Sequence, residues 1–508
     1  MKKKTRPKKD PVPKTIKQAE AAVQRRFAAA LASATLDKRR TLCELERELW
    51  VKLLALGRAL VALFFLKATQ RPRAATYEHD GEPYVLAAKR TTEVGTRFGK
   101  VPFRRRVGRR VGARRRGCDR PIDRELGLGG GFSLSVMVDI VRLCALLPFA
   151  TARDAFAEFC AWCPSPRAVL RMVDALGGQA RSFLEQAPAP EGDGEVLVIQ
   201  VDGKGAPAIS SRERRRRARP RRATKGKSQW HQRRSRRREQ PRVRRKPGHK
   251  SKNAKVAVLG VIYTLKRNDD GQLDGPVNKR AIATFSTHRA LFEWLHAEAV
   301  KRGYGTDKFE RVHFLADGAD AIWALQQEFF PKAEVGLDWY HVSEKLWAAG
   351  KCLHRKNRRM VEEWVVRQKK RLRSGSFDAL MTELRVALED TPRTGPGNKY
   401  RRTVLGAVIH HFDKNRGRMK YARLRRLDLD IATGVVEGAV RHIIGTRFDG
   451  PGMRWGLDRL ERLLHLRCIL VNDMWDEFVH YLVAKPQIRL APQPLPARTH
   501  DAVAKQAA

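Results

Sequence analysis

Acidic residues are in short supply. Of 508 residues, 54 are Asp or Glu against 104 Lys or Arg, a net charge of +50. A surplus of this size repels itself unless a polyanion neutralises it. Nucleic acid is the expected polyanion, bound largely through counterion release; a membrane surface is the other candidate. An arginine-rich composition inherited from a GC-rich genome accounts for part of the surplus, but not for its clustering. Cysteine is equally thin. The seven thiols at 43, 118, 144, 160, 163, 352 and 468 are scattered and odd in number, which points to reduced thiols rather than a disulfide framework. Cys160 and Cys163 form one CxxC, with no second pair at zinc-ribbon spacing, so helix packing is their expected role. Long apolar runs are also missing: residues 53 to 66 ("LLALGRALVALFFL") are short for a membrane span and are interrupted by Arg58. No apolar core follows the lysines of "MKKKTRPKKDPVPKT", so a signal peptide is not expected. The expected location is the cytoplasm, with no membrane. No glycine loop suited to cradling phosphates occurs, so no nucleotide cofactor is expected.

The chain divides by composition. Residues 1–16 read as a basic disordered tail. Residues 17–70 read as helical, with Leu42, Leu45, Leu49 and Leu53 recurring at helical spacing as a packing face. Residues 71–125 hold short β-like runs, "EPYVLAAKR" and "KVPFRRRVGRR", that suggest a small basic β module. Residues 126–190 read as helices. The last of these has Ser165 as N-cap, Pro166 in the first turn and Gly177 as a stop. The helix before it is expected to start at Thr151, with Asp154 completing a capping box. This pair suggests a helix-turn-helix. An α/β pattern covers 191–339, with a basic insertion at 210–252. Residues 340–430 are helical, 431–484 return helices to the core, and 485–508 form a disordered Pro- and Ala-rich tail.

Three acids stand apart. Asp202 ends the apolar run Val196–Val201, and Asp317 ends the strand "RVHFLA"; a glycine follows each. Carboxylates at the carboxyl edge of neighbouring strands occupy the usual site position of an α/β sheet. They repel one another unless a cation lies between them. Mg²⁺ prefers such oxygens, and with a third carboxylate two ions are held about 4 Å apart. Glu437, alone among small and apolar residues in "ATGVVEGAVRHIIGTRF", is the third candidate; an i,i+4 ion pair with Arg441 is its simpler explanation. Asp320, one turn past Asp317, reads as a first-turn acid favouring the helix dipole. The order is strand–Asp, two antiparallel strands, helix, strand–Asp, then a distant helix–Glu. It suggests an α/β fold: an RNase H-like catalytic domain with an all-helical insertion, preceded by a helical and small basic β N-terminal region.

The stretches "VDGKGAP", "LADGADAIWALQQEFFPKAEVGLDWYHVSEKLW" and "NRGRMKYARLRRLDLDIATGVVEGAVRHIIGTRFDGPGMRWG" resemble bacterial insertion-sequence DDE transposases of the ISKra type, which are distantly Mutator-like. The resemblance covers about 196 to 480. It implies that Asp202, Asp317 and Glu437 form a metal-binding catalytic triad for two Mg²⁺ or Mn²⁺ ions. It also implies that Asp338 and His341 form a DxxH motif. Asp338, at the end of a short strand, reads as orienting His341 or a basic partner, with direct metal ligation as the alternative, and a plain packed histidine is the alternative for His341. The stretch from "CDRPIDRELGL" to "SPRAVLRMVDALG" is similar to the family's N-terminal region, but no intact cysteine set precedes Cys118. The implied partners are DNA, namely terminal inverted repeats and target DNA, with a homodimer or higher oligomer on it. The implied reaction is hydrolysis at the element's ends followed by joining of 3′-hydroxyls to target. Expected DNA contacts are Arg214, Arg215, Arg216, Arg236, Arg237, Arg244 and Arg245 in the insertion, then Arg441, Arg447 and Arg454, with surface solvation as their alternative; Trp455 either stacks on an unpaired base or packs in the core, the commoner fate of tryptophan. Two other classes stay open: an RNase H-like nuclease without strand transfer, and a non-catalytic or domesticated basic nucleic-acid-binding protein.

Overall fold

The computed structural model describes residues 13–34, 40–112, 118–210, 254–355, 357–450 and 453–485. The insertion arginines Arg214, Arg215, Arg216, Arg236, Arg237, Arg244 and Arg245 lie outside the described residues, as do nearly all of both expected tails. Helix and strand share the chain in a mixed α/β architecture. The chain forms two compact units, one running to Arg181 and rejoined by residues from Trp475, the other running from Ser182 to Met474.

The first unit begins with helices α1 (Ile16–Ala32) and α2 (Leu42–Gln70). Thr41 and Glu44 exchange backbone bonds at the start of α2 as a capping box. At 29 residues α2 is long and apolar enough, by length and composition alone, to cross a membrane, which corrects the expectation of a short, interrupted run. It nevertheless packs within its unit: Phe65 stacks on Phe103 with centroids 4.4 Å apart, and Arg58 Nη1 donates to the Phe98 carbonyl at 2.9 Å. The leucine stripe is not its packing face, since Leu42 is 69% exposed and Leu53 is exposed too. Leu54, Gly57, Phe65 and Ala68 are buried instead.

Strands β1 (Thr76–His79), β2 (Glu82–Thr96) and β3 (Gly99–Arg110) form an antiparallel meander. It is extended by β4 (Cys118–Asp119) and by the short hairpin of β5 (Leu128–Gly129) and β6 (Phe132–Ser133). The alternation in β3 is strict: Val101, Phe103, Arg105 and Val107 face inward, while Lys100, Arg104 and Arg106 are exposed. The inward Arg105 is compensated by Asp123 of helix α3 (Pro121–Glu125), 2.8 Å away. Helices α4 (Leu134–Leu146), α5 (Phe149–Cys160) and α6 (Pro166–Gln186) follow. Ser165 caps α6, accepting from the Ala168 amide. Two expected signals fail here. Helix α5 starts at Phe149 rather than Thr151, and α6 runs straight through Gly177. Its buried face, including Val169, Met172, Val173 and Leu176, outweighs a glycine cost of about 1 kcal/mol.

The second unit is built on one sheet. Strands β7 (Val196–Ile209), β8 (Ala254–Arg267) and β9 (Leu273–Thr284) are antiparallel, with β8 between the other two. Helix α7 (His288–Arg302) leads to β10 (Arg311–Ala316), which pairs parallel with β7. Helix α8 (Asp320–Phe329) leads to β11 (Glu334–Leu337), parallel on the far side of β10. The order across the sheet is thus β11-β10-β7-β8-β9. Beside β9, the fully buried Arg302 joins acids and backbone: its Nε donates to Glu298 at 3.2 Å, its Nη1 donates to the Asn278 carbonyl at 2.9 Å, and Asp193 lies 3.5 Å away. Arg280 also donates to Glu298, at 2.7 Å. Beyond β11 come α9 (Trp339–His354), α10 (Arg358–Ser374), α11 (Phe377–Glu389), α12 (Asn398–Asn415) and α13 (Tyr421–Arg426). The chain returns to the sheet through α14 (Gly434–Val440), a π-turn (Arg441–Gly445) and α15 (Thr446–Phe448). The two-residue β12 (Trp455–Gly456) then pairs with the end of β7, and α16 (Leu457–Val471) closes the unit. Residues 431–484 therefore do not all return to this core: the last helix, Trp475–Val483, is separate from α16 and belongs to the first unit.

Candidate active site at the β7–β10 edge

Asp202 does not end its strand. The apolar run stops at Val201, but β7 continues to Ile209 because the backbone of β8 pairs with it throughout, Asp202 opposite Leu259. The register Ala316↔Val201 brings Asp317, the residue after β10, beside Asp202. Adjacent strands lie about 4.8 Å apart, so these two acids are neighbours across the ladder. Asp317 Oδ1 accepts from the Ala319 amide at 3.0 Å, and its carbonyl accepts from Trp323 Nε1 at 2.7 Å. Asp202 Oδ1 accepts from the Gly203 amide at 2.6 Å.

Both glycines that follow these acids answer to protein neighbours rather than to a ligand. A Cβ on Gly318 would sit 2.5 Å from His411 Cε1 of α12, and one on Gly203 would sit 3.2 Å from the Ala257 carbonyl. His411 therefore covers the turn that carries Asp317. Burial pushes its pKa down.

Residues Gln200, Asp202 and Lys204 share one face of β7 by the two-residue period. Helix α14 docks on that face. Gln200 Oε1 accepts from the Val436 amide at 3.0 Å, and its amide nitrogen donates to Tyr263 at 2.9 Å. Lys204 approaches the π-turn at Gly445. Glu437 therefore sits over the same face as Asp202. It makes no ion pair with Arg441 or any other cation among the described residues; its carboxylate meets Thr433 Oγ1 at 3.4 Å. The i,i+4 explanation of this acid is thus set aside.

Asp338 is fully buried and is the N-cap of α9. Its Oδ2 accepts from the His341 amide at 2.9 Å and from His341 Nδ1 at 2.7 Å. Its Oδ1 accepts from the Thr433 amide at 3.0 Å and from the Thr433 hydroxyl at 2.6 Å. One carboxylate thus fixes the imidazole on one side and the approach to the Glu437 helix on the other. These bonds hold Asp338 below the usual carboxylate range despite burial.

Four of these acids and His341 feel one another. Desolvation raises the pKa of Asp202, and the charges of Asp317 and Asp338 raise it further. Desolvation, then Asp338, then Asp202 raise that of Glu437. The hydrogen bond to Asp338 lifts His341 to about 9, with Asp317 and Asp202 adding to the effect. The imidazole is therefore cationic at neutral pH and faces the acids, while its side chain stays 42% exposed. By contrast Asp320 is exposed, paired with Lys414 and held low by that partner, in keeping with its reading as a first-turn acid.

Oxygen-only donors suit a hard divalent cation, and the strand register gives two of them side by side. A closed cage is not formed, however: among the described residues no three His, Cys, Asp or Glu are gathered to hold a metal ion. Cys160 and Cys163 are half-buried free thiols.

One expected DNA contact, Arg447, is corrected, and Trp455 takes the core-packing alternative. Arg447 is 1% exposed and Trp455 is 6% exposed. Arg447 lies over the Trp455 ring at 4.7 Å, and Trp455 Nε1 donates to the Phe448 carbonyl at 3.1 Å. Pairing of β12 with β7 draws this tryptophan inward, leaving no face for a base. Arg441 and Arg454 are exposed.

Sequence reasoning missed Thr433, Gln200 and His411. Gln200 had a signal, as the one polar residue within "VLVIQV". Thr433 and His411 had none, since their partners are 95 and 93 positions away. Compared with protein-family models and with curated proteins, the chain returns no match.

Proposed function

We propose that this protein is a DDE-type transposase: a nuclease and strand transferase acting on DNA through an RNase H-like domain. The observation that carries the reading is the pair Asp202 and Asp317, neighbours across the β7–β10 ladder, with Glu437 on a helix docked over the face of Asp202, none of them with a Lys or Arg partner among the described residues. In a chain of net charge +50, three acids left unpaired by arginine call for another cation. The strand order and the later return of an acid-bearing helix match the element order read from the sequence for an RNase H-like domain.

Asp202 and Asp317, with Glu437, would hold the divalent ions. Bound there, the ions would supply Lewis acidity at phosphorus and lower the pKa of a water or 3′-hydroxyl. The chain's own groups do the rest. Asp338 keeps His341 protonated and oriented, so that a positive charge faces the scissile phosphate and leaving oxygen. Gln200 and Thr433 seat the helix that carries Glu437. Phosphate contacts by Arg441, Arg454 and the exposed arginines of β3 would position DNA without reading its sequence. Synapsis of two ends implies at least a dimer on DNA.

The test uses a plasmid carrying the reading frame with its flanking DNA. Mg²⁺-dependent cleavage by the wild type, lost in D202N and E437Q, supports the reading. Absence of wild-type cleavage, or its survival in D202N, overturns it. A pre-cleaved end with a free 3′-hydroxyl then separates a transferase from a nuclease that only cuts. The second reading is a basic nucleic-acid binder without catalysis. It is favoured by one observation: no three potential ligands are gathered for a metal among the described residues.

A further inference from the structure

The helical block carries a cleft of about 710 Å³, remote in sequence from the carboxylates and lined by residues of α9, α12 and the turn before α12. That size falls in the ~300–1,000 Å³ range of sites for small ligands. Its walls combine two chemistries. Trp347 and Tyr400 offer ring faces, and Tyr400 is 71% exposed. Lys351, Arg355 and Arg401 offer positive charge. Arg401 is fixed, its Nε donating to the Cys352 carbonyl at 2.8 Å. Neither Lys351 nor Arg355 is in an ion pair among the described residues. The one acid of the lining is Glu344, so the wall is net positive.

The cleft also has a direction. On α9, His341, Glu344, Ala348 and Cys352 recur at three- and four-residue steps, which places them along one side of the helix, and Arg355 follows as its C-cap. His341 is the imidazole that faces Asp202 and Asp317. The cleft therefore lies along the helix from the proposed catalytic face, its lining from Glu344 to Cys352 spanning about 5 to 17 Å past His341 at 1.5 Å per residue.

We propose that this cleft is a binding site for unpaired nucleotides of a DNA strand, with a base stacked on Tyr400 and Trp347 and its phosphates on Lys351 and Arg355. Aromatic faces take any base, and cations follow the backbone, which is how single strands are held without sequence readout. A duplex has no free base faces to offer such a wall. The site rests on the catalytic reading only in its supposed role, which is to hold a frayed end whose scissile phosphate reaches His341.

The test is equilibrium binding of full-length protein to a fluorescent oligo-dT strand in metal-free buffer at fixed salt, with duplex DNA as the comparison. Y400A should weaken oligo-dT binding by about 5- to 100-fold, the usual yield of one stacked base, and leave duplex binding unchanged. Y400F keeps the ring and should bind as the wild type does. K351A should flatten the dependence of log K on log salt by about 0.7, one single-strand phosphate contact. Unchanged oligo-dT affinity in Y400A, equal losses in Y400A and Y400F, or equal losses on both DNAs overturn the proposal. Plasmid cleavage is scored separately. A cleaving wild type with a silent Y400A sinks the cleft alone, whereas a non-cleaving wild type whose Y400A loses oligo-dT sinks the catalytic reading alone.

Discussion

Two groups of acids in the second unit have been treated in opposite ways. Beside β9, Glu298 and Asp193 are buried against Arg302, with Arg280 completing the set. At the β7–β10 edge, Asp202, Asp317 and Glu437 are only half-buried, and no arginine or lysine pairs with them. The same chain, rich in arginine throughout, delivers it to one group and withholds it from the other. A buried ion-paired group holds its members in place, and removing one partner strands the other. Acids faced only by the half-exposed His341, and still raised in pKa at Asp202 and Glu437, cost the fold more than they give it. Their cost to stability is offset only by something they do, here the proposed capture of divalent ions. The lesson is to look for charge that the rest of the molecule declines to neutralise.

The sharpest way to break this contrast is to remove one member from each group. D202N should cost about 10³-fold in Mg²⁺-dependent cleavage, the rate equivalent of several kcal/mol of charge stabilisation at phosphorus, and should raise the melting temperature slightly. The sign follows from the raised pKa of Asp202: the ionised acid is disfavoured in the fold, so a neutral isostere relieves it. R302L should do the reverse, lowering stability by about 3–5 kcal/mol, as expected when two buried carboxylates lose their partner, measured by urea unfolding. If both variants lose stability, or neither does, the two groups are not different in kind.

Asp338 tests the joint between them, being buried like the first group and placed with the second. D338N should lower cleavage by about 10- to 100-fold, the usual effect of losing the group that orients a working side chain. Its signature is a change in the pH profile, because His341 loses the partner that raises its pKa. The smallest effect concerns His341 itself. Its folded pKa of about 9 lies above the ordinary 6.5. The stability it contributes is therefore fully present below about pH 6.5 and lost as pH rises through 9. The melting difference between wild type and H341Q should be widest near pH 6 and close by pH 10.

Much of the architecture was legible because it is periodic. The apolar runs of β7, β8 and β10 and the caps at Thr41 and Ser165 follow local rules. Asp202 and Asp317 were found by the places where such runs stop. What failed was decided at a distance. Strand β7 outlasts its apolar run because β8 supplies backbone partners. Gly177 does not end α6 because the helix face is buried around it. Trp455 is inside because β12 adds to the sheet. The Asp338–Thr433 bond joins residues 95 positions apart, and no local pattern announces it.

The helix bearing Glu437 has seven residues, includes Gly434 and Gly438, and runs directly into a π-turn. So short a helix does not persist by itself in water. It is kept in shape by clamps supplied from outside: Gln200 on Val436, and Asp338 on Thr433. The third carboxylate is thus mounted on the softest scaffold in its neighbourhood, between two stiff parallel strands and a bundle. Warming or mild denaturant should detach it well before the surrounding layers melt, so the proposed cleavage would be lost while the protein still looked folded.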